Sequence, residues 1–510
     1  MIILVHDLGT SSNKAALYSE DGELIAASSQ SYSTFETQHG ASEQNPAEWL
    51  QAVASTTKRV ILTSGVRSSD IEAICVSGHM MGVVALDSYN LPIRSAILHG
   101  DTRSHPQVKA IAEHMPASRA HQISGNPLDV HYPLSKIAWL RDNEPSVYKE
   151  ARVFVQSKDY ITGWLTGRDA VTDYSDASLY GCFDFHTMTW SEELCQAAGI
   201  DMGKLPRILQ AGSVVGKLCS EAAKALDIAS GIPVYLGFGD GAAAAYGAGA
   251  WEPGSCYNYV GSTAWVAATT AIPAIDPDER LFTIALTSER FSSIGTVQCA
   301  GTAWEWAVTR LCDSHFETAE SLVLAAPAGS NGLIFLPYLS GERSPIWNER
   351  ARGVWFGLSA GHSQGDLLRS VLEGVALSLE SIYVCISQLT GTSPPRIQLI
   401  GGALRSKLWR RILTSAYGVN TGIADDMTHA TARGAFIAAA VGARVIAGFD
   451  DAGKLAMPSS TLAPDAKLAV VYATLQPLFA QIYEQLKPSF DDLSTLRTRL
   501  ASLEESHATI

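Results

Sequence analysis

The amino-acid sequence predicts an α/β fold arranged as two domains of one topology. Three observations carry that expectation. Short apolar runs end repeatedly in turns of small residues, and helical patterns follow several of them, the alternation of an α/β chain. A strand, a turn rich in glycine and hydroxyl residues, and a second strand occur around DLGTSS near residue 7 and again around VGSTAW near residue 261. At roughly 100–200 residues per domain, 510 residues suffice for two or three cores.

The elements follow in order. IILV at 2–5 is a short apolar run ending in DLGTSS, the pattern of a strand entering a tight turn. The segment beyond it turns at Asp21-Gly22, a hairpin signal. Trp49, Leu50, Val53, Val60 and Ile61 have helical spacing across 47–63. Strands are expected at 71–77 and 83–87, on either side of GHMMG, and YPLSKIAWL at 132–140 reads as a loop entering a helix. A second series opens with PVYLG at 233–237, a buried strand leading to Asp240. SCYNYVGSTAWVAAT at 255–269 gives strand, turn and strand. IQLI at 397–400 ends in GGALRS and the helix-like KLWRRILTSAYG, and GAFIAAAVGA at 434–443 reads as a buried helix. No Pro- or Ser-rich linker marks a boundary, which is placed just after Asp240, giving domains 1–245 and 246–510.

Composition narrows the function. With 46% hydrophobic and 17% charged residues the chain has the make-up of a soluble globular protein. A net charge of −14 argues against a nucleic-acid partner and against an anionic membrane surface, since both need clustered Lys and Arg. MIILVHDLGT has no basic region and too short an apolar run for a signal peptide, and no stretch approaches the ~20 apolar residues of a membrane span. A cytoplasmic protein with no membrane partner is expected. The eight cysteines are scattered without a CxxC, so reduced thiols are expected rather than a disulfide framework or a zinc site.

There is no GxxxxGK[ST] loop and no GxGxxG after the first strand. What remains are hairpin turns with an acid. In DLGTSSNK, Asp7 ends a strand, Gly9 lets the backbone turn closely, Thr10, Ser11 and Ser12 offer hydroxyls, and Lys14 adds positive charge nearby. Such a turn suits phosphate oxygens, and a neighbouring carboxylate suits hydrated Mg²⁺. In YLGFGDGAAAAYGAGA at 235–250, Asp240 is a single acid in an uncharged run. By itself it reads as a turn residue or as the N-cap of the alanine-rich helix.

Two long motifs, HYPLSKIAWLRDN (131–143) and GVWFGLSAGHSQGDLLRSVLEG (353–374), resemble the FGGY family of carbohydrate kinases. DLGTSS, SEQNPAEW, FGDGAAAA, GSTAW, LSGERSP and LIGGALRS occur in the family's order, so the resemblance covers nearly the whole chain. It implies two domains of duplicated ribonuclease H-like, actin-like ATPase topology with an interdomain cleft, and ATP and Mg²⁺ as cofactors. It implies that Asp240 is the catalytic base, kept ionised by the helix N-terminus, with small neighbours leaving room for a sugar. It implies that Asp7, with Asp240 through water, orients Mg²⁺. Thr10, Ser11, Ser12 and Lys14 would meet the phosphates from the first domain and Gly261 and Ser262 from the second. Gly301 and Glu305 would lie near the ribose, and Gly402, Ala403 and Ser406 on the adenine. Glu342 and Arg343 are expected to form a structural ion pair.

The sugar side is irregular. The family's xylulose kinases carry Met-His where this chain has Met80-Met81, and W-N-D-x-R where it has His99-Gly100-Asp101-Thr102-Arg103. Gly241 after the base, like YPLSKIAWL and GERSPIWN, resembles the gluconate kinases. Met80, Met81, His99, Asp101, His131, Asp240 and Gly241 form the expected sugar set, with His99 and His131 replacing lost polar contacts and His79 directed away. The resemblance favours D-xylulose among ketopentoses as substrate. Gluconate or another sugar acid or polyol is the alternative, then a weakly active nucleotide-binding regulator. A homodimer is left open.

Overall fold

The computed structural model describes residues 1–37, 40–424, 428–455 and 459–507. Packing separates the chain into two compact units, neither of which is one run of sequence. The first comprises Met1–Gly254, Thr269–Ser293 and His429–Met457, the second Ser255–Ala268, Ile294–Thr428 and Pro458–Ile510.

Strand β1 (Ile2–Leu8) pairs antiparallel with β2 (Ser12–Ser19), and β2 with β3 (Leu24–Ser31), so DLGTSS and Asp21-Gly22 are hairpin turns as expected. Helix α1 (Pro46–Ser64) starts at Asn45, whose side chain accepts the Ala47 N–H, and buries Trp49, Val53 and Val60. These side chains join Leu4, Leu17, Ile74, Val76 and Val234 in one core. Each large apolar side chain buried there contributes about 1.5–3 kcal/mol. Strand β4 (Ile71–Gly78) runs parallel to β1. Helices α2 (Pro133–Asn143) and α3 (Ser157–Thr166) precede the edge strand β5 (Val214–Lys217). Strand β6 (Pro233–Gly239) then lies parallel to β4, and α4 (Asp240–Gly247) follows directly. The sheet order is β5-β6-β4-β1-β2-β3.

The second unit opens with β7 (Cys256–Val260) and β8 (Ala264–Thr270), antiparallel about the VGSTAW turn. Helices α5 (Gly301–Leu311) and α6 (Gln364–Thr390) lead to β9 (Arg396–Ile400), α7 (Lys407–Tyr417) and β10 (Asn420–Ala424). Strand β9 is parallel to both β7 and β10. The chain next contributes α8 (Ala430–Gly442) to the first unit. It closes in the second with β11 (Ser459–Leu462), antiparallel to β10, and α9 (Ala466–His507). The run β11-β10-β9-β7-β8 repeats β5-β6-β4-β1-β2 in order and in strand direction. The duplication suggested by two short turns is therefore a duplication of the sheet.

Two expectations change. The alanines after Asp240 do not leave open space: Ala242 to Ala245 are fully buried. A Cβ at Gly434 of α8 would fall 2.0 Å from the Ala243 carbonyl oxygen, so small residues here let two helices touch backbone to backbone. Helix α6, in turn, is long and apolar enough by length and composition to cross a membrane, and 78% of its apolar window is buried inside the protein.

Candidate active site

The carboxyl ends of three parallel strands meet at one edge of the first sheet. Gly78 of β4 is in register with Leu8 of β1 on one side and Gly239 of β6 on the other. Asp7, the 79–81 loop and Asp240 therefore emerge together, where open α/β sheets bind ligands. Asp7 is buried and accepts a hydrogen bond from the Thr431 hydroxyl at the start of α8. Thr431 carried no sequence signal, since nothing local links it to a residue at the other end of the chain.

Asp240 is the first residue of α4, and Gly239 is the N-cap, so Asp240 is not a capping residue. Its carboxyl group is not held in the usual ionised range either. Burial, and then the negative charge of Asp7, push its pKa up to about 7, against the stabilising N–H of Gly241. It keeps partial solvent contact. Two carboxylates near enough for one to raise the other form a donor set for a hydrated divalent cation, whose charge would return Asp240 to its ionised form.

Gly239 is sterically required. A Cβ there would sit 2.7 Å from Asp176 Oδ1 and from Met80 Cγ and Cε. Gly241 is not: its Cβ would make ordinary contacts at 3.4 Å to Ile284 and 3.6 Å to Met80 Sδ. Met80 and Met81 are both buried, and Met80 packs against the turn that carries Asp240. His99 and His131 are half-buried, and the His131 ring is paired with Asp129. Asp101 is fully buried, with both oxygens committed to Arg103 and the Ser42 N–H, so it shapes the loop from behind. His79 lies edge-on to Trp49 at 5.4 Å between ring centroids, and burial lowers its pKa to about 4.

Behind these loops stand two buried lysines. Lys136 of α2 donates to the carbonyls of Met81, at 2.9 Å, of His99, at 3.4 Å, and of His131. Lys158 of α3 contacts Asp159 at 2.6 Å and Asp173 and Asp176 at 2.9 Å each, all fully buried. The available signal was a lysine inside an apolar helical stretch, since a buried ammonium needs several acceptors.

At the tip of the β1–β2 turn Thr10 and Ser11 are exposed, Ser12 and Lys14 are half-buried, and the Gly9 N–H donates to the Ser12 carbonyl at 3.0 Å. The second unit assembles its own set. The Gly301 N–H donates to Gly261 O at 2.9 Å, and the Thr302 N–H to Ser262 O at 3.2 Å, seating the start of α5 on the β7–β8 turn. A Cβ at Gly301 would fall 2.3 Å from Gly261 O. Gly401, at a φ of 110°, lies against Val260 in the same way. Gly402 and Glu305 are exposed, Ala403 and Ser406 half-buried, and Ser406 is the N-cap of α7. In the LSGERSP loop, Glu342 accepts the N–H groups of Gln298 and Arg343 at 2.7 and 2.8 Å. Burial raises its pKa to about 8. Arg343 lies over the Trp347 ring.

The models of the N-terminal and C-terminal domains of the FGGY family of carbohydrate kinases match residues 2–247 and 256–443. The chain belongs to that family. It is an ATP-dependent sugar kinase, a phosphotransferase with an alcohol acceptor. The kinase is 29% identical over 507 residues to a gluconokinase of Bacillus licheniformis, covering 97% of this chain and 98% of that one. It is 30% identical over 491 residues to a xylulose kinase of Escherichia coli (strain K12), covering 94% and 98%. A ligand-bound xylulose kinase from Lactobacillus acidophilus superposes with a TM-score of 0.90 at 28% identity over 96% of the kinase and 99% of that chain. The two-domain ribonuclease H-like, actin-like architecture expected from the motifs is the fold of the kinase.

Proposed function

We propose that the kinase phosphorylates a hydroxyl of a neutral ketopentose, with D-xylulose as the first substrate. One observation supports a neutral acceptor over a sugar acid. Asp7 and Asp240 place negative charge at the site, while Arg103 is committed to Asp101 and Glu43, and Lys136 to backbone carbonyls. A carboxylate entering there meets repulsion that a neutral polyol does not. ADP release measured with D-xylulose, other ketoses, polyols and gluconate tests the reading. Highest kcat/KM on D-xylulose is expected, and a higher value on gluconate transfers the assignment to a sugar acid. Gly241 and the gluconokinase relatives favour that second reading.

In this proposal Asp240 takes the proton of the sugar hydroxyl and Asp7 orients hydrated Mg²⁺. Mg²⁺-bound ATP supplies the phosphoryl group. Thr10, Ser11, Ser12 and Lys14 hold its phosphates, as do Gly261 and Ser262. Gly301 and Glu305 serve the ribose, and Gly402, Ala403 and Ser406 the adenine. The presence of both acids speaks against a regulator that has lost catalysis. Asp7→Ala is expected to abolish most Mg²⁺-dependent turnover with the fold retained. It should also move the acid limb of the residual kcat/KM profile to lower pH, because the charge raising Asp240 is gone. Full activity in a folded Asp7→Ala protein removes Asp7 from the mechanism.

Met81 cannot donate a hydrogen bond, so a sugar hydroxyl against it goes unpaired. Met81→His should raise kcat/KM for D-xylulose several-fold, since a restored hydrogen bond is worth on the order of 1 kcal/mol. Histidine also tolerates the left-handed backbone found at this position. No gain on D-xylulose, with gluconate the better parent substrate, counts against the ketopentose.

A further inference from the structure

Met81 is buried and holds a φ of 68°, a conformation that is costly for a residue with a side chain. Strain of this kind persists only where the surroundings over-determine it. Here both polar groups of its backbone are gripped by side chains that are themselves fully buried. Its N–H donates to Gln156 Oε1, and its carbonyl accepts from Lys136 Nζ at 2.9 Å. Gln156 is fixed in turn: it is the N-cap of α3 in a capping box with Asp159, and its Nε2 donates to the Asp176 carbonyl at 2.9 Å. The next residue, Ser157, donates its hydroxyl at 2.9 Å to the carbonyl of His79, two residues before Met81. Lys136 reaches beyond this loop to the carbonyls of His99 and His131, which sit on two further loops.

We propose that Lys136 and Gln156 are positioning residues for the acceptor sugar, a two-sided clamp on the Met81 backbone that fixes the 79–81, 99–103 and 129–132 loops in one arrangement beside the Asp240 turn. The proposal rests on the reading of these loops as the sugar side. The clamp, rather than any one exposed side chain, sets which hydroxyl is offered to Asp240. Met80 transmits the position, because its side chain packs against Gly239, immediately before Asp240. None of the clamp atoms belongs to the segments assigned to ATP, so acceptor and nucleotide kinetics should separate.

Steady-state kinetics of the full-length kinase test this, using whichever acceptor in the panel gives the parent its highest kcat/KM. A wrong sugar assignment then changes the acceptor but not the test. Gln156→Leu and Lys136→Met should each raise the KM for the acceptor at least tenfold and leave the KM for ATP within twofold. Lys136→Arg, which keeps N–H donors, should recover part of the loss. If the first two variants fail to fold, Gln156→Asn serves: it stays uncharged and able to cap α3 but is too short to keep its amide on the Met81 N–H, so acceptor KM should rise alone. Parallel rises in both KM values overturn the clamp, as does an unchanged acceptor KM in a folded variant.

Discussion

Asp240→Asn should lose roughly 10²–10⁴-fold in kcat, the usual contribution of a general base, while ATP binding survives. Asparagine has the size of the side chain it replaces but cannot take the hydroxyl proton. Gly239, not Asp240, caps α4, so no helix cap is lost. The stability effect has a definite sign. The folded protein holds the Asp240 proton up to about pH 7, whereas the unfolded chain releases it near 3.8. Between those values the native state binds more protons, so this group's contribution to stability falls as pH rises and is least above 7. Asparagine escapes that cost. The variant should therefore melt above the parent at pH 8, with the gap closing toward pH 4. Near-normal turnover by a folded Asn variant returns Asp240 to a turn residue. A melting gap that ignores pH contradicts the buried acid pair.

Lys158→Met should be the most damaging single change to the fold. The ammonium lies within 2.9 Å of three carboxylates, and all four side chains are fully buried. Burial, opposed by Lys158, already holds Asp159 and Asp176 above the usual carboxylate range, Asp176 well above it. Methionine fills the stem but leaves three acids without their cation, and breaking a buried pair from one side costs about 3–5 kcal/mol. The denaturation midpoint should drop steeply and recover in part at acidic pH, where the acids protonate. Adding Asp159→Asn and Asp176→Asn should restore more. The solvent-screened Arg67–Asp70 pair is the control: its loss should barely move the midpoint. Equal midpoints for Lys158→Met and Arg67→Ala would falsify the account. The cluster also backs the turn before Asp240, since Asp176 Oδ1 abuts the Gly239 backbone and Ser175 donates its hydroxyl to Asp173 and accepts the Gly239 N–H.

What the sequence determined by itself is local. Apolar runs, Asx and glycine turns and helical spacing located β1, β2, β4, β6 to β9, α1, α2, α7 and α8, because each depends on residues within a few positions of one another. The acids at strand ends, Asp7 and Asp240, were legible for the same reason. The structure alone decided what depends on residues far apart in the chain. Helix α8 returns to the first unit through backbone contact at Gly434, and with it Thr431 reaches Asp7. Lys136 and Gln156 grip Met81 from two helices, and Lys158, beside Asp159, reaches the acids of the 173–176 stretch. The rise of Asp240 toward neutral pH belongs to this second class. A helix N-terminus read from sequence predicts a lowered carboxylate, but desolvation and the second carboxylate outweigh it, and both arise only when the strand ends are brought side by side.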